Sequence, residues 1–145
     1  MGLNRAMDIS VSGINAQRVT MELISSNIAN INTTRTVYGG PYRRRIPVLA
    51  EKSVSFAEEL SRAERSLARG EGGVEVLDVV EDSAPFQKVY KPGHPDADAQ
   101  GFVSLPNVDL SEEMVNMVYT QRLHEANITA FNATKKMMQD TLQIQ

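Results

Sequence analysis

The stretch Ile24-Ser25-Ser26-Asn27-Ile28-Ala29-Asn30-Ile31-Asn32-Thr33 closes the segment that decides the fold, which begins at Leu3. Within this segment, mostly apolar residues follow one another at alternating steps of four and three, which is heptad spacing over about four heptads. These positions are Leu3, Met7, Ser10, Ile14, Gln17, Met21, Ile24, Ile28 and Ile31. A helix of this extent is about 40 Å long at roughly 1.5 Å per residue. It is too long to be the buried helix of a compact small domain.

The polar positions of the same segment carry few charges. Residues 1–34 contain only Arg5, Asp8, Arg18 and Glu22 as charged side chains, and Asn, Ser, Thr, Gln and Gly fill most other polar places. A helix solvated along one side usually carries Glu and Lys there, because both favour helix and stay hydrated. Amides and hydroxyls pair with protein at a lower desolvation cost than charges. We therefore expect most faces of this helix to contact other chains in an assembly.

Composition narrows the function classes. The chain has 145 residues, 41% of them hydrophobic and 23% charged, with a net charge of −3. This charge favours protein partners over nucleic acid, whose backbone demands a basic surface. The absence of cysteine excludes disulfides and thiolate zinc sites. The longest apolar runs are too short for a membrane span, and the start lacks the apolar core of a secretory signal, so we expect any export to use another route.

The middle of the chain predicts a small β region. Turn signals at residues 39–41 follow the end of the first helical pattern. Strands are predicted at residues 42–50, 74–80, 86–91 and 101–105, the first of them an edge strand because it contains Pro47. Residues 53–69 read as a short amphipathic helix or a mobile excursion. Few short strands bury little surface on their own, which favours a platform for contacts over an enzyme scaffold.

Three consecutive arginines, residues 43–45, lie in the first predicted strand. They are either a basic patch for an acidic partner or a solvated edge whose charge discourages wrong strand pairing.

A second long helix is predicted after Asn107. Asp109 and Glu112 have the spacing of a capping box. Steps of three and four again give a seam, made of Met114, Met117, Gln121, His124, Ile128, Phe131, Lys135, Met138 and Leu142. The simplest connection through a short β region pairs the two helices antiparallel. The predicted fold is thus α+β, with long terminal helices paired as an antiparallel coiled coil and a small β-rich middle region.

This predicted fold divides the chain into three segments. Residues 1–34 and 108–145 are the helices of an inner coiled-coil domain, and residues 35–107 are the β-rich middle region with its variable insertion at 53–69. A further stripe on the second helix indicates contacts with more than one neighbour. It consists of Leu123, Ala126, Ala130, Ala133 and Met137.

Two motif groups carry a family resemblance. Residues 12–17 and 24–33 resemble the N-terminal signature of the bacterial flagellar rod and hook proteins. The segments 89–98, 101–103, 106–109 and 113–117 are similar to a proximal-rod member of that family. The likeness spans nearly the whole chain and departs mainly at residues 53–69 and at 34–36, where the family more often has a glycine.

The resemblance implies a structural subunit of the proximal rod of the flagellar basal body. Its terminal helices would form the inner tube of a hollow drive shaft that transmits torque for motility and encloses the export channel. The protein would be exported by the flagellar type III apparatus without a cleaved signal and would reside in the periplasmic part of the rod. Implied partners are copies of itself, other proximal-rod proteins, the rod-base adapter protein, the distal-rod protein and the export apparatus, with neither nucleic acid nor a direct membrane span.

The residues expected to carry assembly lie on the two seams and at the end of the first helix. They are Leu3, Met7, Ile14, Met21, Ile24, Asn27, Ile28, Asn30, Ile31, Met114, Met117, Ile128, Phe131, Met138 and Leu142.

The sequence gives weaker support for specific chemical roles, namely metal binding, pH sensing and catalysis. His94, Asp96 and Asp98 suggest a metal loop, but Asn107 stands where a calcium loop needs its bidentate Glu, so polar turn residues are the better interpretation. His124 is either a pH switch or, as we favour, a paired interface residue. No nucleophile, phosphate loop or zinc pattern is present, so we expect no catalytic, cofactor or metal residues. The alternatives kept open are a coiled-coil adapter or secretion chaperone, and an enzyme using the turn around His94.

Overall fold

A computed structural model describes residues 2–52 and 72–143. Helix α1 spans Gly2–Ala29 and helix α2 spans Leu110–Gln143. Between them lie strands β1 (Arg45–Glu51), β2 (Val74–Glu81), β3 (Gln87–Tyr90) and β4 (Phe102–Leu105). The architecture is α+β, with two long terminal helices around a small β region, as the sequence predicts. The predicted helix or excursion at residues 53–69 lies outside the described residues.

The four described strands form two separate antiparallel ribbons. β1 pairs with β2 over their whole length, and the register shifts between Val48 and Leu49. β3 pairs with β4 across the Pro-rich turn, where Gly101 has a φ of 83° that disfavours a side chain. All four strands occur within a few residues of their predicted positions, because Gly- and Pro-rich turns mark their ends.

Side chains of the terminal residues end and begin the helices. Beyond Ala29, the Asn30 side-chain amide donates to the Ser26 carbonyl oxygen at 2.9 Å, and the backbone N–H groups of Ile31 and Thr33 bond three residues back, which tightens the chain into turns that end the helix. At the start of α2, the Asp109 carboxylate accepts hydrogen bonds from the backbone N–H groups of Ser111 (2.7 Å) and Glu112 (3.2 Å). Asp109 is thus the predicted N-cap. The side chain of Glu112 pairs instead with Arg44, at 3.0 Å.

The two helices run antiparallel against each other. Asn27 contacts Glu113 through a hydrogen bond of 3.1 Å, and a Cβ atom added to Gly13 would lie 2.8 Å from Nδ2 of Asn127. Fourteen residues back along α1, from Asn27 to Gly13, therefore match fourteen residues forward along α2. The short β region between the two helical patterns already favoured this direction.

The inward face of α2 differs from the predicted seam at every second position. Met117, His124, Phe131 and Met138 are half-buried, as expected for seam residues. The other predicted positions are exposed, and the residue immediately before each of the first four faces inward instead. The exposed positions are Met114, Gln121, Ile128, Lys135 and Leu142, and the sheltered ones are Glu113, Thr120, Asn127 and Thr134.

Local hydrogen bonds explain why polar residues take these inward places. Thr120 donates to the Asn116 carbonyl oxygen at 2.7 Å, and Thr134 donates to that of Ala130 at 2.9 Å. A threonine whose hydroxyl is satisfied by its own helix buries only its methyl group against the neighbour. The heptad period of α2 is correct, but its seam runs along a more polar face than apolar counting predicts.

None of the helices among residues 2–52 and 72–143 combines the length and the apolar character needed to cross a membrane.

Candidate assembly site: a polar clasp and an exposed helix face

A cluster of polar side chains joins the C-terminal end of α1, the N-terminal end of α2 and the start of β1. We name Asn27, Tyr42, Arg44, Asn107 and Glu113 the polar clasp. Asn27 is only 2% exposed and Glu113 only 1% exposed. Buried polar groups of this kind are tolerated only when they are hydrogen-bonded, so each partner matters.

Asn27 lies at the centre of the polar clasp. Its amide nitrogen donates to the carbonyl oxygen of Arg45 at 3.0 Å and to Oε2 of Glu113 at 3.1 Å. Its amide oxygen accepts from the Tyr42 hydroxyl and from the Arg45 backbone N–H, both at 2.9 Å. An asparagine side chain offers two donors and two acceptor positions, and all four are used. Asn27 thereby ties α1 to both α2 and β1.

Arg44 neutralises the buried carboxylate of Glu113. Its Nε donates to Oε1 of Glu113 at 2.6 Å, and one terminal nitrogen lies 3.0 Å from the more exposed Glu112. Charge-assisted bonds of this geometry are the strongest side-chain hydrogen bonds in proteins. Burial opposes the charge of the Arg44 guanidinium, but the two carboxylates outweigh this desolvation and raise its pKa above the ordinary value.

Asn107 connects the polar clasp to the turn between β2 and β3. Its side-chain oxygen accepts from the Arg44 backbone N–H at 2.9 Å. Its side-chain amide donates to the carbonyl oxygens of Asp82 and Ala84, at 3.2 and 3.3 Å. Asn107 thus links the start of β1 and the turn after β2 to the N-terminal end of α2.

The three consecutive arginines all have partners within the chain. Arg43 donates to the carbonyl oxygen of Asp82 at 3.1 Å and lies 4.3 Å from the ring centre of Phe86. The Arg45 guanidinium lies 5.8 Å from the ring centre of Tyr42. Neither sequence-based interpretation anticipated the role of Arg44 inside the chain. One signal was available, because two glutamates in the first turn of α2 need a cation if either is buried.

Helix α2 exposes large apolar residues at several places outside its contact with α1, most of them in its first ten residues. Each is at least 39% exposed, although α2 packs its other side on α1. Five of them fall within residues 110–119, and a cluster of exposed apolar residues marks an interaction surface, whereas single ones are ordinary. We name this surface the outer face of α2; it consists of Leu110, Met114, Val115, Val118, Tyr119, Ile128, Met137 and Leu142.

The residues expected to carry assembly divide between the inside and the outside of this helix pair. Ile24 and Asn27 are buried, whereas Met114, Ile128 and Leu142 belong to the outer face of α2. The remaining ones are half-buried: Leu3, Met7, Ile14, Met21, Ile28, Asn30, Ile31, Met117, Phe131 and Met138.

The polar side chains of the turn around His94 make hydrogen bonds within the chain. Nδ1 of His94 accepts from the backbone N–H of Asp96 at 3.1 Å, and Asp96 accepts from the Thr34 hydroxyl at 2.8 Å. Asp98 accepts from the backbone N–H of Gln100 and of Phe102, both at 2.9 Å. In residues 2–52 and 72–143, no three His, Asp or Glu side chains are grouped closely enough to hold a metal ion.

Comparison with known proteins identifies the family. Residues 7–35 match the family described as Flagella basal body rod protein, and residues 99–144 match the family described as Flagellar basal body rod FlgEFG protein C-terminal.

Full-length relatives agree with these matches. The chain is 43% identical to the flagellar basal-body rod protein FlgC of Bacillus subtilis, over 96% of this chain and 95% of that protein. It is 40% identical to FlgC of Borreliella burgdorferi, over 99% and 98% of the two chains, and 36% identical to FlgC of Aquifex aeolicus, over 99% and 97%. The chain therefore belongs to the FlgC family of flagellar basal-body rod proteins and is a structural subunit of the rod.

Proposed function

We propose that this subunit occupies the proximal rod and polymerises through its terminal helices. In this proposal α1 and α2 form a coiled coil in the wall of a hollow shaft, around the export channel, and the β ribbons lie outside. The observation that supports it most is the outer face of α2. Exposed apolar side chains such as these are stabilised when neighbouring subunits cover them.

The partners in this proposal are proteins. They are copies of this chain, the other proximal-rod proteins, the rod-base adapter, the distal-rod protein and the export apparatus that delivers the chain to the periplasm without a cleaved signal. The net charge of −3 and the intrachain pairing of residues 43–45 support protein contacts over nucleic acid.

We also propose that the chain acts by packing and not by catalysis. Its buried polar groups make hydrogen bonds that hold the fold together. Asn27 uses all four hydrogen-bonding positions within the chain, and both oxygens of Glu113 are bonded. A general acid, base or nucleophile needs an atom free to meet a substrate.

The test replaces one residue of the outer face of α2 by a charge. Met137→Asp, at a side chain that is 58% exposed, should leave the urea midpoint of the purified chain nearly unchanged, because surface changes usually alter stability by less than about 0.5 kcal/mol. In a strain that lacks the native chain, we expect little Met137→Asp protein in purified basal bodies and a strong loss of motility. Met137→Leu keeps the apolar volume and should assemble normally.

Normal motility and normal incorporation of Met137→Asp would contradict the proposed interface. Recovery of the unchanged chain only as a small cytoplasmic oligomer would favour the alternative of an adapter or chaperone.

A further inference from the structure

The two helix seams repeat too regularly to define their own alignment. On α1, apolar residues return every seven positions at Met7, Ile14, Met21 and Ile28. On α2, the half-buried residues 117, 124, 131 and 138 also return every seven positions. Sliding one helix by a heptad, about 10 Å at roughly 1.5 Å per residue, places similar side chains opposite each other again. Apolar packing alone therefore distinguishes poorly between these alignments.

The polar clasp does not repeat with this period. A slide of one heptad in one direction brings Glu113 opposite Thr20, and a slide in the other direction takes it beyond Ala29, where α1 ends. Arg44 cannot follow, because the backbone of its neighbour Arg45 is held by both ends of the Asn27 amide. Either slide leaves the carboxylate of Glu113, which is 1% exposed in the observed alignment, without its cation.

We propose that the Arg44–Glu113 pair selects the alignment of α1 and α2, and with it the position of the β region along the helix pair. Removing one partner of a buried ion pair is strongly unfavourable, whereas replacing both partners by apolar residues is often neutral or stabilising. The pair thus excludes the slid alignments without adding net stability. Polar residues at buried helix–helix positions are known to specify alignment in this way.

The test uses the absence of cysteine from the chain, so that any introduced pair forms the only possible intrachain disulfide. Thr20 and Thr120 line the same cleft in the observed alignment, each seven residues from Asn27 or Glu113. Thr20→Cys with Thr120→Cys reports this alignment, and Thr20→Cys with Asn127→Cys reports the slide of one heptad that takes Glu113 beyond Ala29. Both pairs are introduced into the otherwise unchanged chain and into Arg44→Met/Glu113→Met. The yield of each disulfide is measured in the purified chain and in basal bodies.

We expect the 20–120 disulfide to dominate in the unchanged background. In Arg44→Met/Glu113→Met, the ratio of the 20–127 to the 20–120 disulfide should rise at least roughly tenfold while the urea midpoint stays equal or increases. The matched control is Arg18→Met/Glu22→Met, which removes an exposed pair of the same charges from α1 and should leave the ratio unchanged. An unchanged ratio in the first variant, or equal disulfide yields in the unchanged background, would overturn the proposal.

A second variant keeps the test decisive if the double variant does not fold. Glu113→Gln removes the charge and retains the shape and the bond to Asn27, so it should raise the same ratio by a smaller factor; no rise would overturn the proposal. The alignment is a property of the chain and is measured separately from rod assembly. Incorporation of the unchanged background into basal bodies tests the proposed function, and the disulfide ratio tests the alignment.

Discussion

The two ends of the helix pair are built differently. The polar clasp lies at the end next to the β region, and all the buried residues of both described helices lie between this end and the middle of the helix pair: Ala16, Ile24 and Asn27 of α1, with Glu113 and Thr120 of α2. At the opposite end, Met137 and Leu142 are 58% and 69% exposed. The difference indicates that contacts within the chain bury residues from the clasp end to the middle of the helix pair and bury none at the opposite end of the described helices.

Breaking the polar clasp should have the largest effect on stability. Arg44→Met leaves the buried Glu113 carboxylate without its cation, so we expect a loss of about 3–5 kcal/mol in the free energy of unfolding, measured by urea titration. Because the raised pKa of Arg44 lies far above neutrality, its stabilising contribution is complete at neutral pH and would be lost only as the pH rises through that value. The control Arg35→Met, at an exposed position, should change stability by less than about 0.5 kcal/mol. Equal losses for Arg44→Met and Arg35→Met would show that the polar clasp stabilises the fold no more than an exposed arginine does.

Truncating apolar side chains at each end compares their packing directly. Ile24 is 6% exposed, so Ile24→Ala should lower the free energy of unfolding by about 2–4 kcal/mol through lost burial and a remaining cavity. Leu142→Ala, at a side chain that is mostly exposed, should lower it by less than about 0.5 kcal/mol. The comparison fails if both truncations give the same shift in urea midpoint. If the proposed function is right, incorporation into basal bodies should show the reverse sensitivity at Leu142, because neighbouring subunits would supply the burial.

The close approach at Gly13 lies between the two ends. Gly13→Val should cost about 1–3 kcal/mol, because its branched side chain pushes against Asn127. Gly13→Ala is the matched control. Its single Cβ meets only the movable end of the Asn127 side chain, and the better helix propensity of alanine offsets the contact, so the net change should be within about 0.5 kcal/mol. If Gly13→Val leaves the free energy of unfolding unchanged, the two helices separate easily at this contact.

The smallest expected effect has the opposite sign. Nδ1 of His124 is buried and has no hydrogen-bond partner among the described residues. His124→Leu removes this unsatisfied atom. It should raise the free energy of unfolding, measured by urea titration, by up to about 1 kcal/mol. His94→Leu serves as the control because Nδ1 of His94 does accept a hydrogen bond, so its replacement should lower stability slightly. A destabilising His124→Leu would indicate that the ring is satisfied in solution and is a paired residue, as the sequence suggested.

Sequence reasoning recovered the elements because their signals are local. Heptad spacing, the Asp109 cap and the Gly- and Pro-rich turns each act within a few residues, so α1, α2 and the four strands lie close to their predicted positions. It was less successful with the inward face of α2. Counting apolar residues selected Met114, Ile128 and Leu142, while the folded chain shelters Glu113, Thr120 and Asn127.

The sequence by itself determined two long helices of heptad period, a small β region between them and the motifs of the rod family, since periodicity, capping and turn chemistry are written in neighbouring residues. Only the tertiary structure decided which face of α2 lies inside. That choice depends on Asn27, Arg44 and Glu113, which are far apart in the chain and compensate one another's burial only when the fold brings them together.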